Sequence, residues 1–108
     1  MDIWYPKATR RPGPPQKQYA QPNTVRGAVL HSMVGSMAGA LAELDRASRQ
    51  ASWHFSIAKS GQVLQHYPIH VATWHCGSPT WNQRLIGIEH EGGPIGNESE
   101  PLTSAQLE

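Results

Sequence analysis

Apolar and polar positions alternate along Val25–His31, and a period of two predicts a first strand there. The alternation places Val25, Val29 and His31 on one face, with Ala28 and Leu30 on the other. From Met37 to Gln50 the period lengthens: Leu41, Leu44, Ala47 and Ala51 recur at three- and four-residue spacing, while Glu43, Asp45, Arg46 and Arg49 fall mostly opposite. That pattern predicts a packing helix with a solvated, charged face. Trp53–Ala58 alternates again, Lys59-Ser60-Gly61-Gln62 is a tight turn, and Val63–His66 returns as the hairpin partner. Tyr67–Thr73 reads as a connection broken by Pro68, with a helical turn near Val71-Ala72. A turn-rich loop with two tryptophans follows from Trp74. It gives way to an apolar run that makes Leu85–Glu91 the third main strand, stopped by Gly92-Gly93.

The two ends of the chain depart from these periods. Residues 1–24 hold five of the nine prolines among basic and polar residues, and proline has no N–H for a ladder or a helix. This predicts an extended N-terminal arm, its start pinned by Ile3, Trp4 and Tyr5. After Gly92 the sequence is loop-like through Pro101. Thr103 and Gln106 then have the spacing of a capping box, a helix start. The chain stops five residues later, and so short a helix buries little and does not persist alone. The expectation is therefore an α/β domain over residues 25–108, a central mixed β-sheet flanked by helices and incomplete at its C-terminus. An uncovered sheet face, and with it marginal stability or self-association, is expected to follow.

Composition narrows the options. The 108 residues suffice for one domain, and 38% hydrophobic content supports a small core. A net charge of +1 gives no case for nucleic-acid binding. The charge is uneven, with five basic residues against one acidic in residues 1–26 and five glutamates without Lys or Arg in residues 89–108. Cys76 is the only cysteine, so no internal disulfide is possible. No apolar window has the length of a membrane span and the N-terminus shows no signal-peptide h-region, so neither membrane insertion nor signal-directed export is expected. The chain is expected to be made in the cytoplasm.

Six histidines are the main candidates for chemistry. His31 ends a strand, His75 and His90 flank the last strand, and His54, His66 and His70 surround the hairpin. The only pair at His-x-x-x-His spacing, His66 and His70, contains Pro68 and is not helical, so spacing alone gives a weak metal signal. Glu89 and His90, as strand neighbours, point to opposite faces. Glu89 and Glu91 share a face, a pattern also found in glycosidases, though nothing else in the chain supports that chemistry.

The ordered set Val29-Leu30-His31, Ser52-Trp53-His54-Phe55-Ser56-Ile57, Gly61-Gln62-Val63, Thr73-Trp74-His75-Cys76-Gly77, Asn82, Ile86-Gly87-Ile88-Glu89 and Leu102-Thr103-Ser104-Ala105-Gln106 changes the balance. Over residues 25–108 it resembles the zinc-dependent N-acetylmuramoyl-L-alanine amidase family, whose relatives include phage lysozyme-like amidases and peptidoglycan recognition proteins. The resemblance implies peptidoglycan as partner and hydrolysis of the amide between muramic acid and L-alanine by a zinc-activated water. It implies His31 as a zinc ligand, Glu89 as the acid/base group, and Trp74, His75 and Asn82 as groove residues. Trp53 stands where some relatives have a catalytic tyrosine and is assigned to substrate binding. The implied remaining ligands, a histidine and a cysteine or aspartate, fall beyond Thr103 where this sequence has no residues. An incomplete zinc site is thus expected here and, if the natural protein also stops at Glu108, no stoichiometric zinc and no amidase activity; if a His and a Cys or Asp follow in frame, the chain is a fragment of an enzyme. A non-catalytic peptidoglycan-binding module and an inert prophage-type remnant are the rival expectations.

Overall fold

The computed structural model describes residues 3–33, 35–92 and 102–107. Strands β1 (Thr9–Arg10), β2 (Gln18–Pro22) and β3 (Gly27–Ser32) precede helix α1 (Met37–Asp45). Next come β4 (Phe55–Ile57), β5 (Val63–Gln65), β6 (Val71–Thr73), the single turn α2 (Pro79–Asn82), β7 (Leu85–His90) and α3 (Ser104–Leu107). The main sheet has the order β1-β5-β4-β7-β3, and β2 with β6 forms a separate two-stranded ribbon. In the main sheet only the β4–β5 hairpin is antiparallel; β1–β5, β4–β7 and β3–β7 are parallel. The expected central mixed sheet is what forms.

The core is small. Leu44, Trp53 and Tyr67 are buried together, with Ala40, Leu41, Ala51 and Val71 packed against them. Helix α1 presents the predicted apolar stripe but ends at Asp45, five residues earlier than Gln50. The Arg46 N–H turns back to the Glu43 carbonyl (3.3 Å), and the chain leaves in an extended conformation. Lys17 explains the stop. Its side chain is 0% exposed, and its Nζ donates to the carbonyls of Leu44 (2.7 Å), Glu43 (3.2 Å) and Ala51 (3.2 Å). An ammonium at the helix C-terminus satisfies carbonyls that another turn would have used, and it matches the dipole there.

The proline-rich segment contributes strands. β1 extends the main sheet beyond β5, and β2 pairs with β6. That second pairing corrects the helical turn expected near Val71-Ala72: the segment is strand because its partner comes from some fifty residues upstream, which a local pattern does not reveal. Likewise Ser78-Pro79 starts α2 within the expected loop, Ser78 Oγ accepting from the Trp81 N–H at 3.4 Å. The Thr103–Gln106 capping box closes on both sides, at 2.9 and 3.1 Å. The helix it opens is docked, contrary to the expectation that it buries almost nothing. Gln106 is buried and donates to the carbonyls of Glu91 and Ile57, and Thr103 Oγ1 donates to that of Lys59. Gly61 makes the docking possible: at φ +91° it closes the hairpin turn, and a Cβ there would lie 3.0 Å from the Ala105 carbonyl. The stretch from Gly93 to Pro101, expected to be loop, lies outside the described residues.

Candidate active site

Parallel register places His31 of β3 opposite Glu89 of β7, and Glu89 opposite Ser56 of β4. Register partners leave the sheet on one side, so three adjacent strands present a polar row. Glu89 lines a cavity of about 270 Å³ between the sheet and α1, with Ser32, Met33, Gly39, Ala40 and Trp53 among its other walls. Burial pushes the Glu89 carboxyl up to about 7, because nothing charged compensates for its lost hydration. Burial also holds the neighbouring His31 ring below the usual imidazole value. Its Nε2 is buried without a hydrogen-bond partner. A carboxyl poised near neutrality beside an unsatisfied imidazole nitrogen departs from the pairing usual inside a protein.

His75 completes the neighbourhood. Its ring stands 6.0 Å from that of His31 and 6.1 Å from that of His54, edge-on to both. The space is made by Gly87, two residues before Glu89, where a Cβ would come 2.6 Å from the His75 Cγ. Both ring nitrogens of His75 are buried without a hydrogen bond of good geometry. Burial, and then the His31 ring, keep it neutral, against a favourable contribution from the Leu85 carbonyl. His54 is fully committed to the fold: Nδ1 accepts from the Gly87 N–H (3.0 Å), so Nε2 carries the proton and donates to the Val71 carbonyl (2.6 Å). His66 is held the same way, Nδ1 donating to the Arg11 carbonyl (2.7 Å) and Nε2 accepting from Ser56 Oγ (2.7 Å). Burial lowers both rings to about 4.

The remaining sequence candidates divide. Trp53 is a core residue: its ring is buried, and Nε1 donates to Ser56 Oγ (2.8 Å), leaving only an edge toward the Glu89 cavity. Trp74 and Asn82 border a second hollow of about 310 Å³, with Tyr19, Gln50, Gly77 and Pro79. Asn82 is buried and shapes this groove. Its Oδ1 accepts from the N–H groups of Cys76 (2.9 Å) and His75 (3.2 Å), and its Nδ2 donates to the Tyr19 hydroxyl (3.1 Å). Glu91 sits apart from Glu89 in function. Its carboxylate accepts the N–H groups of Lys59 (2.9 Å) and Met37 (3.1 Å), which lower its pKa and tie the hairpin turn to the start of α1. His90 is buried.

Sequence reasoning missed Tyr19, Lys17 and Gly87. Tyr19 and Lys17 stand in a segment without periodicity, and their partners are remote. Gly87 carried a signal, a glycine inside a strand, which often marks close approach by another group.

Catalytic zinc needs three protein ligands and a water. The unpartnered, neutral His31 Nε2 fits one ligand. The described residues bring no three His, Cys, Asp or Glu side chains together as a ligand set, so they do not by themselves hold the ion.

The fold is that of a mixed α/β domain, with this polar row across three of its parallel strands. It superposes on a mutant endolysin from Bacillus subtilis with TM-score 0.68 at 21% identity, covering 88% of this chain and 64% of that one. It also superposes on the N-acetylmuramoyl-L-alanine amidase LysC from Clostridium intestinale with TM-score 0.64 at 21% identity, covering 95% and 68%. The family model described as N-acetylmuramoyl-L-alanine amidase matches residues 21–108, and the chain belongs to that family, whose members are generally zinc-dependent. N-acetylmuramoyl-L-alanine amidase A of Achromobacter lyticus is 35% identical over 86 residues, 77% of this chain. The chain spans about half the length of that relative, 48%. Among the described residues, no helix is long and apolar enough to cross a membrane.

Proposed function

We propose that this chain is the β-sheet half of a peptidoglycan hydrolase that cleaves the amide between muramic acid and L-alanine. Glu89 carries the reading: a carboxyl pushed up to about 7, on the row it shares with His31, is matched to general-base work near neutral pH. Glu89 takes a proton from the attacking water as the new C–O bond forms at the lactyl carbonyl. It returns that proton to the alanine nitrogen as the C–N bond breaks, leaving a free carboxylic acid and a free amine. His31 would be one ligand of a zinc ion, which would supply Lewis acidity toward the carbonyl and water. His75, neutral and kept over Gly87, walls the site. Trp74 and Asn82 line the approach for the muramyl peptide, with Trp53 backing the Glu89 cavity. The place of action is the cell wall.

The test is an end-group assay on purified peptidoglycan, using the protein as the cell makes it. New L-alanine amino termini should accumulate without new sugar reducing ends. Glu89→Gln should slow the release about 10²- to 10⁴-fold, the usual worth of a positioned acid/base group. An unchanged rate in that variant sinks the assignment, and reducing ends in place of amino termini sink the reaction class.

The groove of Tyr19, Trp74 and Asn82 supports a second reading, a non-catalytic wall-binding module, because it is built independently of any metal ligand. Co-sedimentation with cell wall, lost in Trp74→Ala, together with no amide cleavage at any zinc concentration, would select it.

A further inference from the structure

We propose that the cavity at the N-terminal ends of β3 and β7 is an oxyanion-binding site made by Arg26 and Arg84. The cavity measures about 480 Å³, and its walls include Thr24, Arg26, Thr80, Gln83 and Arg84, with no acidic side chain. Backbone pairing sets the two arginines together. Gly27 is the register partner of Leu85, and the ladder continues backwards through Arg26 N–H to the Arg84 carbonyl (2.7 Å) and Thr24 N–H to the Gln83 carbonyl (2.8 Å). Like charges opposite one another on adjacent chains repel, so this arrangement costs stability while the cavity is empty.

Elsewhere in the described residues Arg11 pairs with Asp45, and Arg46 and Arg49 pair with Glu43, while Arg10 stands over the Trp4 ring, 4.8 Å from its centroid. Among the same residues neither Arg26 nor Arg84 has an ion pair. The Arg84 guanidinium is instead carried over the Trp81 ring, 5.8 Å from its centroid, beside the cavity. Two guanidinium forks, with threonine hydroxyls near them, match the paired oxygens of a phosphate or carboxylate. Glu89 and His31 lie at the opposite, C-terminal ends of the same two strands. An oxyanion bound here is therefore a second contact, away from the bond to be cleaved. A repeating anionic polymer presents such a group, as a phosphodiester or as a carboxylate. The site does not depend on the catalytic assignment, and it is read by binding alone.

The experiment is a titration of the chain with inorganic phosphate, and separately with acetate, at constant ionic strength, followed by amide and arginine Nε–H NMR shifts. Saturable shifts at Arg26 and Arg84, and at Thr24 and Gln83 beside them, are expected. Arg26→Gln/Arg84→Gln should weaken binding at least about tenfold while leaving the thermal midpoint unchanged or slightly raised, since the repulsion is gone. Should that variant not fold, Arg26→Lys/Arg84→Lys keeps the charge and loses the fork, and should weaken binding several-fold. Tighter phosphate binding assigns a phosphodiester, and tighter acetate binding assigns a carboxylate. Shifts that never saturate, that are as large at Arg10 as at Arg26, or that survive the double substitution overturn the site.

Discussion

Glu89 shows how much one residue's surroundings change its chemistry. Its folded pKa of about 7 stands above the unfolded value, so the folded state favours the neutral acid. Below the unfolded value both states are protonated and folding is unaffected. As pH rises toward 7 the unfolded chain ionises first, and a penalty builds that is complete above about 7. Glu89→Gln removes it. The variant should be more stable than the parent by about 2 kcal/mol at pH 8, after discounting for partial exposure, and equal to it near pH 4. Urea titrations at the two pH values check this; an equal gain at both would place the effect in packing instead of charge. Gly87 offers a second probe. Gly87→Ala puts a methyl 2.6 Å from the His75 ring, which has to swing away. A loss of about 1–3 kcal/mol is expected, together with reduced turnover. Wild-type stability in that variant would show that His75 is not held there.

At the level of elements, the segment before β3 matters more than its composition advertises. Lys17 binds the C-terminus of α1 with two hydrogen bonds from a buried ammonium and the Ala51 carbonyl with a third, and burial lowers its pKa despite the nearby Glu43 and Asp45 carboxylates. Lys17→Met preserves the side-chain length but leaves three carbonyls without that donor. It should cost about 3 kcal/mol, measured by chemical denaturation, with faster hydrogen exchange in the last turn of α1. A cost below about 1 kcal/mol would mean water replaces the ammonium freely. Helix α3 is a smaller case of the same kind. Thr103→Ala opens the capping box and the bond to the Lys59 carbonyl, and about 1 kcal/mol should be lost. The capping box itself was legible in the sequence, because Thr103 and Gln106 are three residues apart. Its docking was not, because that depends on Gly61, Glu91 and Ile57 being brought under it.

Over the whole molecule, two buried neutral histidines govern the response to acid. His54 and His66 have folded pKa values of about 4, below the unfolded value of 6.5. Their contribution is complete above pH 6.5. It is lost as pH falls toward 4, because only the unfolded chain takes up the protons in that window. Glu89 works in the opposite direction over much of the same range, so the parent protein should lose stability on acidification more gradually than Glu89→Gln. Thermal midpoints at half-unit steps between pH 7 and 4 test this, and a flat profile in the parent would mean the rings are not kept neutral.

The sequence by itself determined strands that the structure shows over Gly27–His31, Phe55–Ile57, Val63–Gln65 and Leu85–His90, within the expected Val25–His31, Trp53–Ala58, Val63–His66 and Leu85–Glu91, together with the helix from Met37, the mixed α/β class, and the family. These rest on short-range periodicity, turn chemistry and an ordered set of residues, all written locally. Tertiary structure alone decided that His31, Glu89 and Ser56 share one row, that His75 lies over Gly87, and that Trp53 belongs mainly to the core. It also decided that Val71–Thr73 is strand, that Lys17 ends α1 at Asp45, and that Arg26 stands beside Arg84. Each of these depends on contacts between remote residues. Parallel pairing and burial fix which side chains meet and how they titrate, and neither leaves a period along the chain.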